Sequence, residues 1–274
     1  MRRVAIFTLA CLLLVLPLGS QSRLMHNSYS GLAAWWKLIG DSSATATLPT
    51  SGTTVYDSSG HSISGTFSGT KAGGVSSTYY TVTCGEFPYC ATFDGSTNYV
   101  ITGTTSASSF SSGITVMAWF NTSTITTQED IVTRYASSAD LLEISSTGKT
   151  RCAFNLSTTS VNYTGGTTVS ANAWNLFACT YSVSSGQMTE YLNTSVVGTA
   201  TGSGTLSNTA STWYIGQLGT GSRYFHGEIA MVRIWNFPLT ANQVYAIRSA
   251  DTAMMDAPPW WRQDQLFRWV EDVA

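Results

Sequence analysis

One local pattern recurs along most of the chain and constrains its fold more than any other feature. From about Gly31 onward, short runs rich in Val, Ile, Thr, Tyr and Trp alternate with clusters of Gly, Ser, Asn and Asp. Runs of β-branched and aromatic residues bounded by turn residues predict β-strands. About eleven runs follow this pattern: GLAAWWKLI, YCATFDG, NYVITG, GITVMAWFNT, EDIVTRYA, DLLEISS, KTRCAFNLS, WNLFACTYS, TEYLNTSVVG, STWYIGQL and GEIAMVRIWN.

Helical patterns are scarce by comparison, and this scarcity decides the fold class. Before the C-terminal tail, only the segment LTANQVYAIRSA, residues 239–250, has a pattern that predicts a helix. Strands that follow one another without intervening helices exclude βαβ units and predict two antiparallel sheets packed face to face. The sequence therefore predicts an all-β domain.

Six motifs carry a family resemblance, and they occur in the family's order. They are GLAAWWKL, TTVYDSSGHSISGTFSG, ATFDGSTNYV, GITVMAWFN, ANAWNLFACTYSVSSGQMTEYLN, and WYIGQL followed by FHGEIAMVRIWNFPLTANQV. Together they resemble a LamG-like jellyroll domain of the concanavalin A-like lectin/glucanase superfamily. The resemblance covers Gly31 to Ser249 and implies a two-sheet antiparallel jelly-roll β-sandwich, which we assign to residues 23–250.

Composition narrows the class of partner. Charged residues make up 10% of the chain, aromatic residues make up 12%, and the net charge is −2. A chain without a basic cluster has no means of neutralising many phosphates, so nucleic acid is not expected as a partner. Abundant Ser, Thr and Gly together with aromatic residues are typical of an extracellular β-protein.

The first residues have the pattern of a secretory signal peptide. In MRRVAIFTLACLLLVLPLGSQS, two arginines precede an apolar run that ends at Leu18. This run is shorter than the ~20 residues that span a bilayer, and Pro17 interrupts it. Small residues at Ser20 and Ser22 predict cleavage after Ser22, which gives a signal peptide at residues 1–22 and a secreted protein free of the membrane. An uncleaved anchor helix is the alternative.

Cysteine parity agrees with cleavage. Of the five cysteines, Cys11 lies in the apolar run, and its removal leaves an even set of Cys84, Cys90, Cys152 and Cys179. Four cysteines allow three pairings. Only five residues separate Cys84 from Cys90, so a local loop closure is easy, and the remaining pair is Cys152 with Cys179. Two buried free thiols are the alternative for that second pair.

The acidic residues argue against an enzyme. Glycoside hydrolysis needs two carboxylates that face one groove, and the glucanases of the resembling superfamily supply them from one strand as E-x-D-x-x-E. The best match here is GEIAMVR, in which Ala230 and Arg233 replace the second and third acids after Glu228. Glu143 and Glu190 are predicted to be isolated, solvent-facing strand residues.

Glu228 itself is predicted to lie at the edge of a strand. Alternation along that strand would place Glu228, Ala230, Val232 and Ile234 on one face, unless a bulge intervenes.

Calcium is implied by the resemblance, because many domains of the superfamily bind a structural Ca²⁺ with loop oxygens. The resembling motifs point to Asp57 in YDSSGH and to Asp94 in FDGS. His61 and Ala230 depart from the family pattern and weaken such a site. The alternative is that both aspartates stabilise turns by accepting backbone hydrogen bonds.

Aromatic residues divide into core and candidate ligand-binding groups. Trp36, Trp119, Trp174 and Trp235 match strand positions and are predicted to pack in the core. Residues assigned to loops can instead stack on sugar rings, and the candidates are Tyr79, Tyr80, Tyr163, Tyr224 and His226.

The tail at residues 251–274, which contains APPWWRQDQLFRWVEDVA, leaves the jellyroll pattern and is predicted to be helical. It packs on the sandwich or docks a partner or a second copy.

The chain is therefore predicted to be a non-catalytic extracellular binding or adhesion module for a carbohydrate, glycoprotein or other glycoconjugate. The alternative is a structural surface protein, for example of a virion, whose tail mediates assembly. A glycoside hydrolase is the third possibility.

Overall fold

Fifteen β-strands and one helix form the part of the chain that the computed structural model describes, namely residues 31–38, 54–69, 84, 87, 90–105, 110–135, 139–193, 195–207 and 212–256. The predicted signal peptide, Tyr79, Tyr80 and residues 257–274 lie outside these ranges. The strands are β1 (Leu32–Trp36), β2 (Thr54–Val55), β3 (Gly65–Ser68), β4 (Ala91–Asp94), β5 (Tyr99–Thr104), β6 (Gly113–Thr122), β7 (Glu129–Tyr135), β8 (Ala139–Ile144), β9 (Lys149–Phe154), β10 (Val161–Thr168), β11 (Asn175–Ser182), β12 (Gln187–Leu192), β13 (Ser195–Thr201), β14 (Thr212–Ile215) and β15 (His226–Trp235), and the helix is α1 (Ala241–Asp256).

The strands form two antiparallel sheets, which confirms the predicted jelly-roll β-sandwich. A seven-stranded sheet has the order β1-β15-β6-β11-β12-β13, with β4 also paired to β15. An eight-stranded sheet has the order β10-β9-β8-β7-β14-β5-β3-β2. Consecutive strands pair in part of each sheet, as in β7-β8-β9-β10 and β11-β12-β13, whereas pairings such as β1 with β15 and β7 with β14 join distant parts of the chain.

The core between the sheets follows from the two-residue period of the strands. On β6, for example, Ile114, Val116, Ala118 and Phe120 point into this inner core. Met117 and Trp119 point to the outer face of the seven-stranded sheet, yet they are also buried. The apolar run of β6 is thus continuous because both of its faces are covered.

Helix α1 belongs to the layer that covers this outer face. Its start has a capping box in which Gln243 N donates to Thr240 Oγ1 at 3.3 Å, and Thr240 N donates to Gln243 Oε1 at 2.9 Å. Val244 and Ile247 pack in the outer-face cluster with Trp119. The predicted helix at 239–250 is therefore present, and it continues past residue 251 to Asp256. No helix in the described ranges combines the length and apolarity needed to cross a membrane.

A buried ion pair fixes α1 to the sheet. Arg233 of β15 donates through Nη1 and Nη2 to Asp251 of α1, with both distances 2.7 Å. Trp119 Nε1 donates to the same carboxylate at 2.8 Å. The Arg233 side chain is fully buried, so Asp251 supplies the charge that makes its burial tolerable.

Both predicted disulfides are confirmed. Cys84–Cys90 closes a short loop with a Cα–Cα distance of 5.9 Å, and Phe87 within it packs on Trp119 and Trp174 of the outer-face layer. Cys152–Cys179 joins β9 of one sheet to β11 of the other, with a Cα–Cα distance of 6.3 Å. The second disulfide therefore crosses the inner core.

The predicted tryptophan packing is also found. Trp36 is buried in the inner core, and Trp119 and Trp235 are buried in the outer-face cluster. Trp174 is half-buried against that cluster, and its Nε1 donates to the Cys84 carbonyl at 3.0 Å.

A bulge in β15 changes the predicted alternation. The pairing of β15 with β6 shifts between Ala230 and Arg233, and Met231 has a φ of 50°. Ala230 and Met231 consequently both face the outer layer, whereas Val232 faces the inner core. The prediction that Ala230 and Val232 share a face is therefore wrong.

Glu228 precedes this bulge and lies on the same outer side as Ala230. It is the third residue of β15, near the start of the strand as predicted, and it pairs with Asn121 of β6 on one side and with Thr92 of β4 on the other. Its Oε2 accepts a hydrogen bond from Asn121 Nδ2 at 3.3 Å. Burial raises its pKa, against the opposing effect of that hydrogen bond.

Glu190 corrects another prediction, because it does not face solvent. It lies opposite Cys179 in the β11–β12 pairing, shares the inner face with that disulfide, and is fully buried. Neither carboxyl oxygen has a hydrogen-bond partner within the described residues. Burial raises its pKa to about 7, against the opposing effect of the nearby Thr150 hydroxyl.

Candidate functional site

A polar pocket opens at one end of the sandwich, where the β4–β5 turn, the β6–β7 loop and the segment before β15 meet. Its volume is about 390 Å³. It is lined by Asp94, Gly95, Thr124, Thr127, Gln128, Glu129, Arg223, Tyr224 and His226. Three residues that the sequence singled out are thus brought together, because the fold places Asp94 beside the distant Tyr224 and His226.

Asp94 shapes the β4–β5 wall of the pocket. Its Oδ1 accepts backbone hydrogen bonds from Ser96 at 2.9 Å, Thr97 at 2.7 Å and Asn98 at 3.0 Å, and its Oδ2 accepts one from Thr97 Oγ1 at 2.6 Å. Partial burial would raise its pKa, but these hydrogen bonds outweigh it and hold the pKa of Asp94 well below its usual range. The group is therefore an ionised turn-former at neutral pH.

Gly95 allows this turn to approach His226. The glycine has a φ of 72°, and a Cβ built there would lie 3.0 Å from the Cβ of His226. A side chain at this position would meet both a strained backbone and a close contact. Glycine is therefore required for the turn and the histidine to form one wall.

His226 is held by its backbone and leaves its ring exposed. It is the first residue of β15, its carbonyl accepts a hydrogen bond from Thr122 Oγ1 at 2.8 Å, and its Nδ1 lies 3.3 Å from Thr124 Oγ1. Tyr224, two residues earlier in the loop, places its ring 6.5 Å from that of Tyr99. A histidine and a tyrosine on a supported backbone thus flank the opening.

Glu129 lies beneath His226 at the start of β7. Its Oε2 accepts a hydrogen bond from His226 N at 3.2 Å, and its Oε1 accepts one from Thr127 Oγ1 at 3.0 Å. Burial raises the pKa of Glu129 to about 7, even though these hydrogen bonds favour the ionised form. Its charge therefore changes near neutral pH, within contact of the pocket.

Arg223 connects the pocket to a buried acidic pair. Its Nε lies 3.1 Å from Asp130 Oδ2, and its Nη1 donates to Glu143 Oε2 at 2.8 Å. Arg151 and Gln128 also donate to Glu143, at 2.9 Å and 3.0 Å. Glu143 is fully buried, so the prediction of a solvent-facing residue was wrong for it as well.

Asp130 faces Glu143 across the β7–β8 pairing. Burial raises the pKa of Asp130 well above its usual value, the Arg223 guanidinium opposes this shift, and the neighbouring Glu143 adds to it. The backbone confirms the same attachment, because Asp130 N donates to the Arg223 carbonyl at 3.0 Å. The loop that carries Tyr224 is therefore tied to β7 by charge and by backbone.

Other predicted site residues lie elsewhere. Tyr163 was expected on a loop but lies in β10, where its half-buried ring packs on the inner core and against Gly198. The Thr-Gly-Gly that follows it in the sequence, which suggested a turn, forms part of the strand. Tyr79 and Tyr80 are outside the described residues, so their role stays a prediction.

Asp57 and Asp94 both act as turn-formers. Asp57 accepts hydrogen bonds from the backbone nitrogens of Trp35 at 3.0 Å, Ser59 at 2.9 Å and Ile63 at 3.2 Å. No group of three or more His, Cys, Asp or Glu residues suited to a metal ion occurs in the ranges that the structure covers. These hydrogen bonds shape both turns, and calcium binding stays a prediction.

Sequence reasoning missed the floor of the pocket. Glu129, Gln128 and Arg223 carry no motif, and each is an ordinary surface-type residue in the sequence. The available signal was the consecutive acids Glu129 and Asp130 at the start of an apolar strand, where at least one carboxylate must point inward. The partner of such an acid, Arg223, is identified only by the fold.

Comparison with known proteins settles the family. The family model of the concanavalin A-like lectin/glucanases superfamily matches residues 94–245, which is more than half of the chain. The chain belongs to this superfamily. A search of curated proteins found no match.

Solved structures with the same fold include several toxin binding domains. The binding domain of Paraclostridial Mosquitocidal Protein 1 superposes with a TM-score of 0.60 at 11% identity, covering 81% of this chain and 53% of that one. A structure of botulinum neurotoxin type C, whose cell entry depends on two ganglioside molecules, gives 0.59 at 13% identity, with coverages of 83% and 53%.

The botulinum neurotoxin DC binding domain in complex with rat synaptotagmin II gives 0.59 at 12% identity, with coverages of 81% and 52%. This superfamily member thus spans about half the length of those structures, and at such identities the likeness shows a shared fold.

Proposed function

We propose that this superfamily member is a non-catalytic, secreted binding module that holds a glycan in the pocket beside Tyr224 and His226. The observation that carries the proposal is that one pocket combines an aromatic ring with several fixed polar groups. Sugars present both hydroxyl groups and apolar C–H faces, so they need both kinds of contact. Tyr224 supplies the stacking surface, and Gln128, Thr124 and His226 supply hydrogen bonds.

The size and rigidity of the pocket support a small ligand. A volume of about 390 Å³ is within the range of small-molecule sites. The walls are fixed before any ligand arrives, because Asp94 holds one turn and Arg223 ties down the loop of Tyr224. Preformed walls reduce the entropy lost on binding.

The carboxylates support binding rather than hydrolysis. Hydrolysis needs one carboxyl group that donates a proton and a second one that is free to attack or to activate water. In the pocket, both oxygens of Asp94 already accept hydrogen bonds from its own turn, and the two oxygens of Glu129 accept them from Thr127 and from the backbone of His226. On β15, the glucanase positions hold Ala230 and Arg233, and Arg233 is committed to Asp251.

Secretion is supported by chemistry and by the neighbours. Two disulfides within one domain are typical of an oxidising compartment. Neurotoxin binding domains of the same fold recognise ganglioside and protein receptors. This chain is proposed to share the general task of recognising a glycoconjugate outside the cell.

A glycan array tests the function. The wild-type protein should bind a subset of printed glycans, and Tyr224→Ala and His226→Ala should each reduce that binding at least tenfold. The melting temperature should change little for His226→Ala, because substitutions at exposed positions usually change stability by about 0.5 kcal/mol or less. It should fall somewhat more for Tyr224→Ala, because this half-buried ring contacts Tyr99. Tyr245→Ala is the matched control, since this tyrosine is 60% exposed on α1 and does not line the pocket.

Repeating the array in EDTA tests the calcium prediction separately. Binding that survives Tyr224→Ala and His226→Ala would refute this site. If no glycan is retained, and if deletion of residues 257–274 abolishes self-assembly, the structural alternative replaces the proposed function.

A further inference from the structure

The charges around the pocket do not balance when every acid is ionised. Asp94 and Glu129 line the pocket, and Asp130 and Glu143 lie directly behind it on Arg223. Among the described residues, the guanidinium groups in this cluster are those of Arg223 and Arg151. Four carboxyl groups thus share two positive charges. The free-energy cost of burying these acids is lower when two of them carry protons.

Glu129 is the acid whose protonation changes the charge of the pocket most directly. Four hydrogen bonds hold the pKa of Asp94 well below its usual range, and Glu143 is already ion-paired with Arg151 and Arg223. Asp130 is fully buried behind the wall and does not line the pocket. Glu129 lines the pocket and lies 3.2 Å from the amide of His226, so a change in its charge reaches both the ligand and the wall.

We propose that Glu129 is a specificity-determining proton switch: when it carries a proton the pocket accepts acidic glycans, and when it is ionised the pocket binds only uncharged ones. This inference rests on the proposed function of the same pocket. The proton comes from solvent, and no other chemistry is required. An acidic sugar keeps its own carboxylate ionised throughout the range in which Glu129 titrates, because free carboxyl groups have pKa values of about 3–4.

Several elements contribute charged or titratable groups around Glu129. The titratable or charged groups that surround it from the packed elements are Asp94 of β4, Asp130 of β7, Glu143 of β8, Arg151 of β9, and Arg223, Tyr224 and His226 of the segment that leads into β15. Asp94 accepts hydrogen bonds from its own turn, and Glu143 is ion-paired with both arginines. Burial raises the pKa of Glu129 to about 7, and burial also raises the pKa of Asp130 well above its usual value.

His226 contacts Glu129 through its backbone amide, and it is therefore the neighbour that a test must separate from Glu129. Its ring is exposed at the opening, whereas the Glu129 carboxyl lies under its backbone amide. Substitution of Glu129 removes one titration and leaves the imidazole in place. A pH effect that belongs to the histidine would consequently persist in a Glu129 variant.

The ligand experiment compares acidic and uncharged glycans at two pH values. An array that carries neutral oligosaccharides and carboxylated ones is probed with wild-type protein, Glu129→Gln and Glu228→Gln at pH 5.5 and pH 8.5. Wild-type protein should retain carboxylated glycans about tenfold more strongly at pH 5.5, because the like charge is then absent. Glu129→Gln should retain them equally at both pH values. Glu228→Gln is the control and should keep the wild-type difference, since Glu228 is a half-buried acid outside the pocket lining.

A second readout needs no ligand. The backbone amide of His226 donates to Glu129 Oε2, so its nitrogen chemical shift should titrate with a midpoint near pH 7 in the wild-type protein. That titration should disappear in Glu129→Gln. Rescue of the transition by Glu129→Asp would be expected only if a carboxyl group at this position is its source.

The outcomes separate the two hypotheses. Binding of acidic glycans that is independent of pH, or that keeps its pH dependence in Glu129→Gln, overturns the switch and leaves the glycan-binding function standing. An array that retains nothing at either pH overturns the function and the selectivity together. A His226 amide that does not titrate between pH 5.5 and pH 8.5 overturns the switch regardless of the array.

Discussion

Glu190 gives the sharpest test of the energetics of this fold, because a carboxyl group with no hydrogen-bond partner lies inside the sandwich. The proposed change is Glu190→Gln, which keeps the size of the side chain and removes its ability to ionise. The effect should appear as a difference in pH dependence between wild-type and variant proteins. It should be large, since the side chain is fully buried and solvent cannot screen it.

The magnitude follows from the two states of the carboxyl group. Folding raises its pKa from the ordinary 4.5 to about 7, a difference that corresponds to about 3 kcal/mol. Because the folded-state value is the higher one, the wild-type protein has its full stability from this group below pH 4.5. It loses that stability as the pH rises from 4.5 through 7. Above pH 7 the buried, ionised Glu190 therefore costs about 3 kcal/mol relative to acid conditions.

Urea denaturation with the disulfides intact, at pH 4.5, 6 and 8, measures this directly. The free energy of unfolding of Glu190→Gln should exceed that of the wild type by about 3 kcal/mol more at pH 8 than at pH 4.5. Glu228→Gln should show a smaller difference, because Glu228 is half-buried and already bound to Asn121. Parallel pH profiles for the wild type and Glu190→Gln would refute a buried, unpartnered carboxyl group at this position.

Three further changes test other parts of the structure. Replacing Cys152 and Cys179 together with alanine should lower the free energy of unfolding by about 2–4 kcal/mol, measured by thermal unfolding without reductant, and an unchanged midpoint would contradict a cross-sheet disulfide. Asp251→Ala should cost about 3–5 kcal/mol in urea denaturation because it leaves Arg233 buried and uncompensated, whereas replacing both residues with apolar ones should restore most of the loss. Gly95→Ala should cost about 1 kcal/mol in thermal unfolding and should weaken retention on the glycan array, and wild-type values for both would show that the turn does not need glycine.

The fold could be predicted because local sequence patterns identify most of its strands. The run GITVMAWFNT matches β6 from its first residue to its last, since β-branched and aromatic residues bounded by turn residues specify extended backbone. The predictions were wrong where local sequence signals conflict with tertiary contacts. The segment VNYTGGTT contains two glycines, and its sequence predicts a loop around Tyr163. It forms β10 instead, because pairing with β9 and packing beneath β13 stabilise the extended backbone.

The site was predictable only in part. A loop position suggested Tyr224 and His226, and the fold brings both to one pocket. Alternation along a strand shows that neighbouring residues face opposite ways, but it does not show which face another element covers. Glu143 and Glu190 were therefore assigned to solvent, although arginines cover the first and the opposite sheet covers the second. Glu129 was missed for the same reason, because its surroundings come from distant parts of the chain.

The bulge at Met231 adds one residue to β15, so residues that are unevenly spaced in the sequence point to the same side of the sheet. Positions 228, 230 and 233 all point outward from the seven-stranded sheet, whereas a regular strand would send the last one inward. The backbone that an E-x-D-x-x-E trio would require is thus present, with structural side chains in its last two places. A designer who wished to install a hydrolase on this strand would have to move α1 as well as exchange residues. New carboxylates at 230 and 233 would otherwise lie in a sealed layer beside Asp251, where no polysaccharide can reach them.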